Sequence, residues 1–161
     1  MKYIWVIIVL LSFITMSSAE KFPVGFGIAG GYSVGDPTNY FFVEGTGLIN
    51  IYKELYARFG LFNIQFRSTG THTSFGTGVF CPGIDLMLFF RQQSFAPYAL
   101  TGFMYSTGGG ANNLLLRLGG GVEFIPSVLP TYPYAEFDLD INAATGSTNT
   151  IAIFKLGIRV K

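Results

Sequence analysis

The sequence predicts an all-β chain, an eight-stranded antiparallel up-and-down barrel built to cross a membrane and preceded by a cleavable signal peptide. Three observations carry this. Runs with a period of two recur every dozen or so residues between clusters of Gly, Ser, Thr, Asn and Pro, with few helix signals between them. The chain is 50% hydrophobic and only 12% charged, where about 25% charged is usual for soluble domains. Yet nothing after residue 19 approaches the run of about 18 apolar residues that a spanning helix needs.

Residues 1–19 read as the export signal. Lys2 supplies the charge, Tyr3–Ile14 the apolar stretch, and Ser17-Ser18-Ala19 the small residues of a cleavage site. An uncleaved helical anchor is the alternative, and its apolar stretch is short for a bilayer. Residues 20–161 suit one domain. Without Lys2 the Lys and Arg residues number nine against nine Asp and Glu, so there is no basic stripe for nucleic acid. The only histidine, His72, rules out a multi-histidine metal site, and no cofactor is implied. Cys81 is the only cysteine, which excludes an internal disulfide, and it lies far from the signal junction.

Eight strand-like runs follow in order, at 22–33, 40–52, 55–67, 76–91, 96–106, 113–125, 132–143 and 149–160. In the first, Val24, Phe26, Ile28 and Tyr32 alternate with Gly25, Gly27, Ala29 and Gly31. The second contributes Glu44. The third has Arg58 and Asn63 on opposite faces, and the fourth is interrupted around Cys81-Pro82-Gly83, so both call for bulges. The sixth sets Leu114, Leu116, Leu118, Val122 and Phe124 against Arg117, Gly119, Gly121 and Glu123. The seventh sets Ala135, Phe137, Leu139 and Ile141 against Glu136, Asp138 and Asp140. The eighth sets Ala152, Phe154, Leu156, Ile158 and Val160 against Lys155 and Arg159.

Small residues thus share a face with the charges, and large apolar residues take the other. A narrow lumen needs small residues and paired charges, while lipid demands an apolar exterior. Centring the last hairpin between Thr145 and Gly146 puts Glu136 opposite Lys155 and Phe137 opposite Phe154. A one-residue slip would turn acids toward lipid at up to a few kcal/mol each. The expected lumenal network comprises the acids Glu44, Asp85, Glu123, Glu136, Asp138 and Asp140 and the bases Arg58, Arg91, Arg117, Lys155 and Arg159. Val34–Asn39, Ser68–Phe75, Thr107–Asn112 and Ala144–Thr148 would be the outer loops. Tyr52-Lys53-Glu54, Gln92–Phe95 and Pro126–Pro130 would be the inner turns. Tyr40, Tyr56, Phe95, Tyr98 and Tyr132, near strand ends, fit interfacial girdles.

Four local patterns resemble the small eight-stranded outer-membrane barrels, the superfamily of the OmpA transmembrane domain and OmpX. They are the glycine-alternating Val24–Tyr32, Pro97-Tyr98-Ala99-Leu100-Thr101-Gly102, Gly119-Gly120-Gly121-Val122-Glu123-Phe124 and the closing Phe154–Val160. The resemblance implies a Gram-negative-type outer membrane and insertion by the barrel-assembly machinery. Contact with outer-membrane lipid and lipopolysaccharide, and a monomeric state, go with it. Such proteins usually end on an aromatic residue, whereas this chain ends Arg159-Val160-Lys161.

The expected role is structural, in envelope integrity or surface interaction, around a plugged polar lumen. The chief alternative is a lipid-modifying enzyme, a deacylase or acyltransferase using the His72-Thr73-Ser74 spacing with Asp85 downstream. Against it, Thr69–Ser74 has the composition of a polar loop, and no acid or oxyanion hole is clearly placed. A small-solute pore and a secreted soluble barrel are the remaining alternatives. Glu136, Asp138 and Asp140 are spaced about 6.5–7 Å apart on one strand face, too far to grip one cation, so they read as structural charges. Gly108-Gly109-Gly110 lacks the Lys and the helix of a phosphate loop.

Overall fold

The computed structural model describes residues 24–35, 39–67, 70–75, 83–90, 94–108, 111–127, 130–142 and 150–160. Residues 1–19, expected to be the export signal, lie outside them. The strands are β1 (Val24–Val34), β2 (Tyr40–Tyr52), β3 (Leu55–Arg67), β4 (Gly70–Phe75), β5 (Gly83–Phe89), β6 (Phe95–Gly108), β7 (Ala111–Phe124), β8 (Thr131–Asn142) and β9 (Thr150–Val160). All pairings are antiparallel, and pairing of β1 with β9 and of β2 with β3 closes the sheet into a barrel. β4 pairs with the second half of β3 and β5 with its first half, so together they make one stave and the barrel has eight. Among the described residues, no helix is long and apolar enough to cross a membrane.

Two expected loops turn out to be largely ladder. Gly70–Phe75 pairs with Phe62–Arg67, and β6 and β7 stay paired out to Gly108 opposite Ala111. Thr- and Ser-rich composition suggests a loop, but ladder hydrogen bonds come from the backbone, and Thr is itself a good strand former. The inner turn after β2 is as short as expected, with Tyr52 opposite Leu55. Lys53 adopts a left-handed φ of 47° there, and the Asn50 amide donates to Lys53 O at 2.7 Å to steady the turn.

The conflict within β3 is resolved by a bulge. The register passes from Gly45 opposite Phe62 to Thr46 opposite Gly60, which leaves Leu61 as the extra residue. One additional residue exchanges the faces, so Arg58 and Asn63 both lie at positions opposite lumenal residues of β2.

Burial is inside-out compared with a water-soluble barrel. Arg58, Asp138 and Arg159 are at most 1% exposed, whereas Phe26, Phe41 and Leu156 are 59%, 64% and 72% exposed. At about 25 cal/mol per Å² of apolar surface left in water, such an exterior is untenable unless lipid covers it.

The lumen is also less polar than the alternation suggests. Leu48, Tyr56, Met87, Phe89, Ala96, Tyr98 and Leu100 form a buried cluster inside the end where the short turns lie. Tyr56 and Tyr98 were expected at the membrane interface and instead point inward. The Tyr56 and Tyr98 rings pack on Phe89 at 5.2 and 5.0 Å. The reason is parity: both residues sit on the inward phase of their strands, and position near a strand end says nothing about face.

Candidate functional site

Lumenal side chains fit because glycine faces them across the ladder. Gly119 lies opposite Asp138, and Gly121 lies opposite both Tyr98 and Glu136. A Cβ at Gly119 would collide with the Asp138 carboxylate, and one at Gly121 would come within 2.6 Å of the Tyr98 hydroxyl. The small residues that alternate with charges in the sequence are therefore the floors on which neighbouring strands lay their charges.

Glu136 is the hub. Arg58 donates from Nη1 to both of its oxygens, at 2.7 and 2.6 Å, and from Nε to Asp85 Oδ2 at 2.8 Å. Lys155, opposite Glu136 in the β8–β9 register, places Nζ 3.0 Å from Glu136 Oε1. The same ammonium lies 2.8 Å from Asp138 Oδ2 and 3.1 Å from Glu44 Oε1. The Tyr98 hydroxyl donates to Glu136 Oε2 at 2.8 Å, and Arg159 Nη2 donates to that oxygen at 3.2 Å. Three cationic side chains and a phenol thus converge on one carboxylate.

The hub has a group on either side. Arg117 holds Asp140 in a fork, Nε to Oδ1 and Nη2 to Oδ2, both at 2.7 Å, the planar bidentate geometry suited to a guanidinium. Its Nη1 reaches Asp85 Oδ2 at 3.5 Å, which joins the fork to the hub through Arg58. On the other side Arg159 donates to Glu123 Oε2 at 3.1 Å, and its guanidinium lies 3.7 Å from the Tyr134 ring centroid. Such stacking of a guanidinium on a ring adds cation–π attraction to the ion pairs.

The structure therefore brings together Glu44, Arg58, Asp85, Arg117, Glu123, Glu136, Asp138, Asp140, Lys155 and Arg159. Arg91 lies outside the described residues. Tyr98, expected in the interfacial girdle, and Tyr134, to which the sequence assigns no role, also take part. Tyr134 shares the strand phase of Glu136 and Asp138, and Tyr98 the inward phase of Ala96 and Leu100. Glu136, Asp138 and Asp140 are bound to basic side chains, and among the described residues no group of His, Cys, Asp or Glu is placed to hold a metal ion.

The hydrolytic arrangement does not assemble around Asp85. His72 and Ser74 lie on β4 opposite Gln65 and Asn63, and their side chains are outside the described ones. Asp85 lies opposite Arg58, five residues back along β3, which is about 15 Å of strand. Its carboxylate is already held by Arg58 and Arg117.

An ionic, glycine-floored lumen inside an apolar wall invites comparison with solved barrels. Neisserial surface protein A is similar at a TM-score of 0.54 and 13% identity, over 86% of this chain and 95% of that one. A de novo designed transmembrane β-barrel gives 0.52 and 13% over 88% and 99%. The chain has the fold of a small transmembrane β-barrel. Ail, the attachment invasion locus protein of Yersinia pestis, solved with the heparin analogue sucrose octasulfate, gives 0.50 and 13% over 85% and 95%. No protein-family model and no curated protein sequence matches this transmembrane barrel.

Proposed function

We propose that the chain is an integral outer-membrane barrel of the OmpA- and OmpX-like kind, exported by its N-terminal signal. In this reading it works by its structure, in envelope integrity and surface contact, and not by catalysis. The observation that carries the reading is the inverted burial: a closed wall of exposed apolar side chains around a buried ionic network. A protein that holds its charges in mutual pairs spends them on closing the barrel and leaves few for substrate.

The lumen in this reading is sealed twice, by the apolar cluster around Phe89 and by the salt-bridge layer around Glu136. The outer connections favour hydrogen-bonding partners over polyanions. Residues 35–39, 68–69, 109–110 and 143–149, between the strands, contain no Lys or Arg. Arg67 at the end of β3 is a single cation beside them, so a sulfated ligand such as the one seen with Ail would find no cationic cradle there.

Membrane fractionation tests the reading. The chain is expected to resist carbonate extraction and to migrate differently on gels before and after heating. Extraction by carbonate would overturn it. Planar bilayers test the seal: no reproducible conductance is expected, and steady conductance that changes on Arg117→Ala would show an open path.

A further inference from the structure

The register aligns outward-facing aromatics on five neighbouring staves in one row, Phe137, Phe154, Tyr32, Phe41 and Phe66. Ring centroids are 4.9 Å apart for Phe137 and Phe154 and 4.6 Å for Tyr32 and Phe41. Gly120 continues this row beside Phe137, and in the adjoining row Ala135 and Gly30 flank Leu156. Where the small residues sit, the wall is dented, and the dents form an open groove of about 700 Å³. That is within the roughly 300–1,000 Å³ of ligand clefts.

We infer that this groove binds an acyl chain of a membrane lipid, a site that rests on the membrane reading above. Depth selects the tail of the lipid. The groove starts at Tyr32 and Phe41, near the ends of β1 and β2, and runs past Lys155, midway along β9 and about 16 Å of strand from either end. A lipid whose headgroup sits at the Tyr32 end would lay its tail along the part that headgroups do not reach.

Chemistry selects the same occupant. The two charged residues bordering the groove, Glu136 and Lys155, have side chains at most 1% exposed and are paired with each other inside the lumen. The groove therefore offers hydrocarbon and ring faces, and apart from that pair the Tyr32 phenol is the one polar side chain among its described lining residues. Shape disfavours a second copy of the chain. Stable protein interfaces bury about 800 Å² per partner, and a second convex barrel would ride on the projecting Leu156 and Phe41 without entering the dents.

The site can be filled without disturbing the wall. A Cβ at Gly30 meets only Phe42 O, at 3.8 Å, so Gly30→Leu closes the groove from β1, and Ala135→Leu closes it from β8. The test takes full-length protein from vesicles of dipalmitoyl phosphatidylethanolamine and follows retained lipid by native mass spectrometry. The unaltered barrel is expected to retain one lipid, and retention is expected to fall about tenfold in both filled variants. Phe103→Leu, at an exposed position on β6, is expected to keep it. Retention unchanged by filling, equal loss in Phe103→Leu, or lipid-free dimers would overturn the site. A carbonate-resistant, heat-modifiable barrel that retains no lipid overturns the groove alone, whereas carbonate extraction overturns the membrane reading beneath it.

Discussion

On β8 and β9 the inner face presents Glu136, Asp138, Asp140, Lys155 and Arg159, whereas β2, β5 and β6, beside Glu44, Asp85 and Tyr98, present Leu48, Met87, Phe89 and Leu100 to the same lumen. One sector is held by charge-assisted hydrogen bonds across glycine floors, the other by close apolar packing. Both are almost fully withdrawn from solvent. The difference shows that the two sides of this wall obey unequal rules. Facing lipid, only apolar side chains are tolerated, because an unpaired charge there costs about 2–4 kcal/mol. Facing inward, a side chain has only to fill space and, if polar, to find a partner.

The comparison breaks hardest at the hub. Glu136→Ala leaves Arg58, Lys155 and Arg159 without their shared acceptor, and removal of one partner from a buried ion pair costs about 3–5 kcal/mol. Urea unfolding in vesicles should show a loss of that order. Glu136→Gln keeps the shape and one acceptor oxygen and should lose clearly less. Equal losses would mean that volume, not charge, is what this sector supplies.

In the apolar sector Phe89→Ala should cost about 3 kcal/mol, the low end for deleting a buried ring, since Tyr56 and Tyr98 lose their shared packing surface. The same variant in planar bilayers should remain closed, because the salt-bridge layer stands behind it. Conductance in Phe89→Ala would make the apolar cluster the true seal.

Gly119→Ala should have the smallest effect, about 1–3 kcal/mol, typical of overpacking. The added methyl pushes the Asp138 carboxylate off its place beside Lys155. Combining it with Asp138→Ala should recover part of the loss, since the collision with the carboxylate is then gone and only the close approach to Phe137 O, at 2.7 Å, remains. Additive losses in the double variant would refute the glycine-floor account.

Legibility in the sequence follows the same division. Where charges mark the inward phase, as in Glu136, Asp138 and Asp140 or Lys155 and Arg159, alternation displays both faces. Where both faces are apolar, as in Leu86-Met87-Leu88-Phe89-Phe90, there is no alternation to read, and Met87 and Phe89 point inward unannounced. Tyr56 and Tyr98 lie on the inward phase of their strands, which side-chain type and nearness to a strand end do not reveal, and Tyr134 shares the phase of Glu136. Strand limits were least legible at the polar hairpins, because a ladder continues on backbone hydrogen bonds after apolar side chains stop.

Sequence alone determined the all-β architecture, the number of staves and the segregation of ionic from apolar faces in the final hairpin. Each of these is written in local periodicity and in turn residues, which act within a few positions of the chain. Only the tertiary structure decided that Glu136, already opposite Lys155 in the hairpin, also gathers Arg58 from β3 and Arg159 from β9, and that Phe137, Phe154, Tyr32, Phe41 and Phe66 fall in one row. Such groupings depend on register around a closed ring, and the Leu61 bulge shifts part of that register by one residue. Closure makes distant strands neighbours, and period-two patterning carries no information about which residues will meet across the lumen.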